Sequence, residues 1–202
     1  GCHVHFQHVT TKMGVDLIKL GKKSGFPISA ETCPQYFTLT DDSCLEYNTL
    51  AKCCPPLRTK EDIKAILKGL KSGAIDIIAT DHAPHASEEK DVEFQEASFG
   101  MIGLETALSL CIEQVRKNKL KYEDIVEKFI VNPAKLIKSP QGAFRTQEKA
   151  DLIVFDPEKE WTLKKENIVS KSKNSPFIDT ELHGAVLLTV AKGKICYENF
   201  DE

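Results

Sequence analysis

The chain has no apolar run near the ~20 residues a membrane-spanning helix needs, and no segment with the pattern of a secretory leader. It has no internal repeat and no low-complexity tract, which excludes solenoid and fibrous architectures. It also lacks a dominant charge: 27 Lys and Arg stand against 30 Asp and Glu, the signs are interspersed, and no basic stripe suggests nucleic acid. The seven cysteines are odd in number and irregularly spaced, and Cys53-Cys54 is an adjacent pair rather than a Cys-x-x-Cys. They read as reduced thiols, several of them core-filling, and not as a disulfide framework or a zinc knuckle. With 41% hydrophobic residues in 202, what remains is a soluble, cytoplasmic globular chain able to bury a core in one or two domains.

Strands and helices alternate through most of the sequence. A first strand runs through the opening residues. Thr10 or Thr11 then caps a helix carrying Met13, Val15, Leu17, Ile18 and Leu20, which ends near Lys22-Lys23-Ser24-Gly25. FPISAET reads as a short strand, 33–58 as a long connection of the functional kind, and Thr59 opens a helix through Leu70. Residues 101–117 and 122–138 read as helices, the second interrupted at Asn132-Pro133. Near Lys149 the period changes. ADLIVF, AVLLTVAKG and KICYE read as strands, with a turn at Gly193-Lys194, and form a second, all-β unit.

Chemistry concentrates in residues 75–86, IDIIATDHAPHA, where an apolar run rich in β-branched residues stops at an Asp followed by two histidines. This predicts a strand delivering Asp81, His82 and His85 to its C-terminal end, the end that carries reactive groups in parallel α/β folds. A carboxylate there can ligate a cation and also take a proton from water acidified by that cation. Taken alone, the segment is balanced between a metal site and a capped loop broken by Pro84. Three more histidines lie at 3, 5 and 8. Alternation along the first strand puts His8 on the opposite parity from His3 and His5, and at the reactive end. His3 and His5 are therefore expected to face surrounding helices and to hold no metal.

The motifs QHVTT (7–11), ETCPQYFTLT (31–40), KCCPPLR (52–58), TDHAPH (80–85), FGMIGLETALSL (99–110), ADLIVFDPEKEWT (150–162) and SKSKNSPF (170–177) together resemble the C-terminal half of the dihydroorotases, cyclic amidases of the amidohydrolase superfamily related to allantoinases and dihydropyrimidinases. The resemblance implies an α/β fold: about the last three strand-helix units of a TIM-type (β/α)8 barrel over residues 1–142, then part of a small β-sandwich over 143–202. It implies two zinc ions in an intact active site and interconversion of N-carbamoyl-L-aspartate and dihydroorotate in pyrimidine synthesis. By the same resemblance His8 and Asp81 are metal ligands, Asp81 is the catalytic base, and His85, Cys54 and the backbone at Phe99 and Gly100 contact substrate. The bare residue reading of Gly100 as a turn before a helix stands beside this, and Arg58, just ahead of a helix, reads as solvated.

Two departures qualify the resemblance. The family's first-strand His-x-His, its fourth-strand Lys or Asp and its fifth-strand His have no counterpart here, so the chain is expected to begin inside strand six, to hold an incomplete zinc ligand set and to be inactive alone. Its expected partners are a small-molecule substrate and either further copies of itself or the missing N-terminal half. The family also has Asn before Pro-Pro-Leu-Arg where this chain has Cys54, and a thiol cannot reproduce an amide's paired donor and acceptor. Allantoinase or dihydropyrimidinase chemistry thus stays open, as does a non-catalytic amidohydrolase-like scaffold.

Overall fold

In the computed structural model, residues 1–140 and 142–200 are described. Residue 141 and residues 201–202, which fall within the two expected segments, lie outside the described residues. The architecture is α/β with two sheets. Strands β1 (Val4–Phe6), β2 (Ile28–Thr32) and β3 (Ile77–Ile78) form a parallel sheet in that order. Helix α1 (Lys12–Lys23) links the first pair, while α2 (Pro34–Thr38) and α3 (Lys60–Ser72) lie between the second pair. Short 3-10 segments at Asp41–Tyr47 and Thr49–Ala51 fill the long connection.

Local chemistry sets these boundaries. Thr11 accepts from the Gly14 N–H at 3.0 Å and starts α1, choosing between the two threonines the sequence offered. At α3, Thr59 and Asp62 form a reciprocal capping box and Gly73 ends the helix. The two helices are tied at these ends, because Asp62 Oδ1 also accepts the Lys12 N–H at 2.8 Å. Between helices and sheet, Val15, Ile66, Leu70 and Ile75 are fully buried, each worth roughly 1.5–3 kcal/mol of hydrophobic stabilisation.

After β3 come α4 (Ser87–Lys90), α5 (Ala107–Arg116), α6 (Tyr122–Val126) and α7 (Asn132–Leu136). The helix expected over 101–117 begins six residues late. Met101 instead bridges His82 in parallel, and the Ala83 N–H donates to Met101 O at 2.9 Å, so this stretch extends alongside the 81–83 loop. In the expected 122–138 helix, Pro133 does not break the chain: a π-type turn at Glu127–Val131 shifts the hydrogen-bond ladder just ahead of a residue that has no N–H to give.

The second sheet is antiparallel, with β4 (Leu152–Thr162), β5 (Glu181–Ala191) and β6 (Lys194–Glu198) in sequence order. The β5–β6 turn lies one residue earlier than expected, at Lys192-Gly193, both with positive φ as a two-residue hairpin loop requires. Helix α5 joins this sheet to the rest. Ile112 presses against Gly184, where a Cβ would come within 2.2 Å of Ile112 Cδ1. Ser109 donates to Gly184 O at 2.7 Å, and the Trp161 indole N–H reaches Ser109 Oγ at 3.1 Å. One apolar cluster therefore runs from Val15 and Ile66 through Ile112 to Leu163 and Leu182.

Candidate active site

Both candidate metal residues leave their strands in the left-handed backbone region, His8 with φ 53 and Asp81 with φ 49. Non-glycine residues seldom adopt it, and such positions gather at functional sites. Here the two turns swing the side chains together over the C-terminal ends of β1 and β3. His8 Nε2 lies 3.6 Å from Asp81 Oδ1, with each side chain about a quarter exposed (23% and 25%).

The other ring nitrogen of His8 faces β2. Its Nδ1 is 3.1 Å from Glu31 Oε1, and Glu31 Oε2 is in turn 3.1 Å from His5 Nε2. His5 Nδ1 completes the row at 2.6 Å from Ser29 Oγ. This corrects the expectation that His5 faces the surrounding helices. It pairs in register with Ser29 and shares the face of Ser29 and Glu31, away from α1, whereas Phe6 lines the cleft beside α1. Alternation failed as a guide because the left-handed turn at His8 resets it, bringing His5 and His8 to one side. His3 is exposed. Cys33 is fully buried, with Sγ 3.4 Å from His8 Nδ1. Burial, reinforced by the nearby Asp81 and Glu31 carboxylates, pushes its thiol far above the ordinary range, so it is neutral near pH 7.

His82 and His85 part company. His82 Nδ1 accepts the Gly103 N–H at 3.1 Å and serves to pin the following loop. His85 Nε2 donates to Phe99 O at 2.8 Å, which sets the imidazole against the Phe99-Gly100 backbone. Gly100 itself is buried with φ 130, and a Cβ there would lie 2.5 Å from Ala83 Cβ and 3.2 Å from His85 Nε2. It is neither a turn into a helix nor replaceable, since it lets the 81–85 and 99–103 loops touch. Phe99 is half exposed, with Lys52 Nζ 4.4 Å from its ring centroid. Cys54 is exposed, beside buried Cys53, whose thiol burial pushes up to about 11. Arg58 lines a cleft with His8, Phe6 and Pro55, and its Nε is buried with no hydrogen-bond partner. It is not the solvated side chain expected.

Three residues that sequence reasoning passed over hold this arrangement. Buried Asn174 accepts the His85 N–H at 3.1 Å and donates to Ala83 O at 2.9 Å and Gly100 O at 3.2 Å. Glu105 accepts from the Val169 and Ser170 N–H groups at 2.9 and 3.0 Å. Buried Lys90 donates to Ser98 O at 2.7 Å and Gly100 O at 3.1 Å. Glu105 sits in FGMIGLET, where its signal was a charged residue inside an apolar, glycine-containing run, while Asn174 sits in SKSKNSPF, a polar run that gives it no such signal.

The pattern of the amidohydrolase family matches residues 1–196. The chain belongs to that family. Among its amidohydrolase relatives, a dihydroorotase of Acetivibrio thermocellus is 47% identical over 193 residues, covering 95% of this chain and 45% of the relative. A dihydroorotase of Clostridium acetobutylicum is 45% identical over 200 residues, 98% of this chain and 47% of the relative. The chain thus spans about half the length of the curated relatives it matches. Among solved structures, an L-hydantoinase (dihydropyrimidinase) of Arthrobacter aurescens superposes with a TM-score of 0.93 at 30% identity, covering 100% of this chain and 46% of that one. The resemblance carried by TDHAPH and its companion motifs holds along nearly the whole sequence.

The donor set at His8 and Asp81, one imidazole nitrogen and one carboxylate oxygen, is the kind zinc takes. Among the described residues no group of three His, Cys, Asp or Glu side chains converges to hold a metal ion, and zinc sites commonly use three protein ligands or more. The residues present therefore suit part of a zinc site. Among the described residues, no helix is long and apolar enough to cross a membrane.

Proposed function

We propose that this chain forms the C-terminal part of a zinc-dependent dihydroorotase, acting on the ring amide of dihydroorotate and, in reverse, closing N-carbamoyl-L-aspartate. The convergence of His8 Nε2 and Asp81 Oδ1 at 3.6 Å over two parallel strand ends carries the reading, and similarity to dihydroorotases along nearly the whole chain supports the substrate. On this reading residues 1–142 are the last three strand-helix units of a (β/α)8 barrel and 143–202 a portion of a β-sandwich. The parallel order β1-β2-β3 with helices between the strands supports the first assignment, and the antiparallel β4-β5-β6 sheet supports the second. The protein is cytoplasmic, and the remaining ligands of a two-zinc site come from the other half of the fold.

Bound zinc would supply Lewis acidity and a nucleophile at neutral pH. His8 and Asp81 would hold the metal, and Asp81 also moves the proton. In hydrolysis Asp81 accepts the proton of the attacking water and returns it to the ring nitrogen as the C–N bond breaks. In synthesis the same carboxylate takes the proton from the carbamoyl nitrogen. His85, the backbone of Phe99 and Gly100, and Cys54 line the substrate. A second reading, allantoinase or dihydropyrimidinase, draws on Cys54 in place of the family's Asn and on the likeness to the L-hydantoinase.

One substitution in the full-length protein separates the two. With dihydroorotate as substrate, Cys54→Asn restores an amide and preserves or improves kcat/KM. Turnover of allantoin or dihydrouracil with none of dihydroorotate, and Cys54→Asn impairing it, would give the function to the second reading.

A further inference from the structure

We infer that Lys52 and Lys90 are positioning residues: the 94–100 loop is wound around their two buried amino groups, which tie together the three segments bearing Cys54, His85 and Phe99-Gly100. The effect on substrate rests on the proposed function, but the winding of the loop does not. Only 7% of Lys52 and 3% of Lys90 is exposed, and lysines are almost never buried so deeply without a paired group. Here the partners are main-chain carbonyls of one loop. Lys52 Nζ donates to Phe94 O at 2.6 Å and Gln95 O at 2.8 Å, and Lys90 Nζ to Ser98 O at 2.7 Å and Gly100 O at 3.1 Å. The Phe94 and Phe99 rings lie against Lys52, with centroids 5.4 and 4.4 Å from Nζ, and an aromatic face attracts a cation. Burial first, and the neighbouring Lys52 charge second, lower the pKa of Lys90 from the ordinary 10.5.

Each lysine is fastened by its backbone as well. The Gly100 N–H donates to Lys52 O at 2.9 Å, and Thr49 Oγ1 donates to Lys90 O at 2.6 Å. Lys52 stands two residues before Cys54, and Lys90 ends α4 five residues after His85, so the two side chains join all three segments. The described residues 91–106 form no helix or strand, and the loop takes its shape from such tertiary bonds in place of a local ladder. Gly100 shows the outcome. Its N–H is committed to Lys52, and its carbonyl to Lys90 and Asn174. Both backbone groups are thus occupied inside the protein, and Gly100 acts toward a ligand through its place in the wall, which the two lysines set. Removing either amino group would leave inward-facing carbonyls without these donors, which costs more than losing an exposed hydrogen bond.

The test uses Lys52→Met and Lys90→Met in the full-length zinc-loaded protein, since Met keeps an unbranched side chain and removes the donors. Hydrogen exchange read by mass spectrometry should accelerate ~10–100-fold in peptides covering Glu96, Ala97, Ser98 and Gly100, whose N–H groups are hydrogen-bonded. Exchange over β2 should stay at the wild-type rate. KM for dihydroorotate should rise ~10-fold or more, with kcat lowered by less and zinc retained. Folded variants whose 94–100 exchange lies within about twofold of wild type overturn the proposal. Exchange raised alike over the whole chain, with KM unchanged, also overturns it, because lysines that only stabilise would act that way. If the variants fail to fold, brief treatment of the native wild type with acetic anhydride decides. Lys52 and Lys90 should label far more slowly than exposed Lys19, and labelling at the rate of Lys19 overturns the proposal. Should the wild type open allantoin or dihydrouracil and not dihydroorotate, KM is read on that ring. With loop exchange and KM raised there, the positioning stands and the substrate assigned above falls.

Discussion

Asp81 is held at φ 49 where β3 gives out, a conformation that aims its carboxylate across at His8 instead of along the strand. Asp81→Asn preserves the size and one ligating oxygen but removes the proton acceptor. In the full-length protein we expect ring opening to slow by ~10²–10⁴-fold, the range for a lost general base, with zinc content retained. Steady-state rates alongside metal analysis check this, and a loss under tenfold with zinc in place would take the base role from Asp81. The place of Asp81 at the end of a strand was legible in the sequence because the apolar, β-branched run stops there, whereas its role as a base came from the resemblance and not from the residues alone. The partnership of His5 with Glu31 was not legible. Strand alternation holds only while the backbone stays extended, and nothing in the residues around His8 announces the positive φ that ends it.

Among the elements, α1 and α3 were readable because their caps are local chemistry, Thr11 for one and Thr59, Asp62 and Gly73 for the other. The start of α5 was not, since what holds residues 101–103 in extended form is a pairing with His82 and Ala83, some twenty positions away in sequence. The cap at α3 makes a pH prediction. Burial pushes the Asp62 carboxyl up, but hydrogen bonds from the Lys12 N–H and from the Thr59 hydroxyl and N–H outweigh this and hold its pKa below the ordinary 3.8. A carboxyl depressed on folding contributes stability that is present above its unfolded pKa and lost as pH falls through the folded one. Wild type should therefore melt above Asp62→Asn at pH 5–7, with the gap in Tm closing as the pH drops below about 3.8. A gap that persists unchanged to the most acidic pH at which both variants fold would show that the charge on Asp62 is idle.

At the scale of the whole molecule, β1 is an edge of its sheet and the layer around it is apolar and open: Phe6, Met13, Leu17, Leu20 and Phe26 are between 46% and 73% exposed. A patch of this kind marks a contact surface, and on the proposed reading the other half of the barrel covers it. Prepared by itself, the 202-residue chain should hold no pair of zinc ions tightly and open no ring, read by metal analysis and by an absorbance assay. Two zinc equivalents with turnover in a monomeric preparation would contradict this. The clamp at Asn174 has a consequence in time. Its partners His85 and Ala83 lie 89 and 91 positions earlier in the chain, so the 81–85 and 99–103 loops, which on the proposed reading face substrate, cannot lock until a segment far downstream has been synthesised and has docked. Contacts of such long sequence separation are costly to close and form late. During synthesis the polypeptide would thus emerge with β1, β2 and β3 already paired and these loops still loose, so that on the proposed reading the specificity of the site is the last thing to fold.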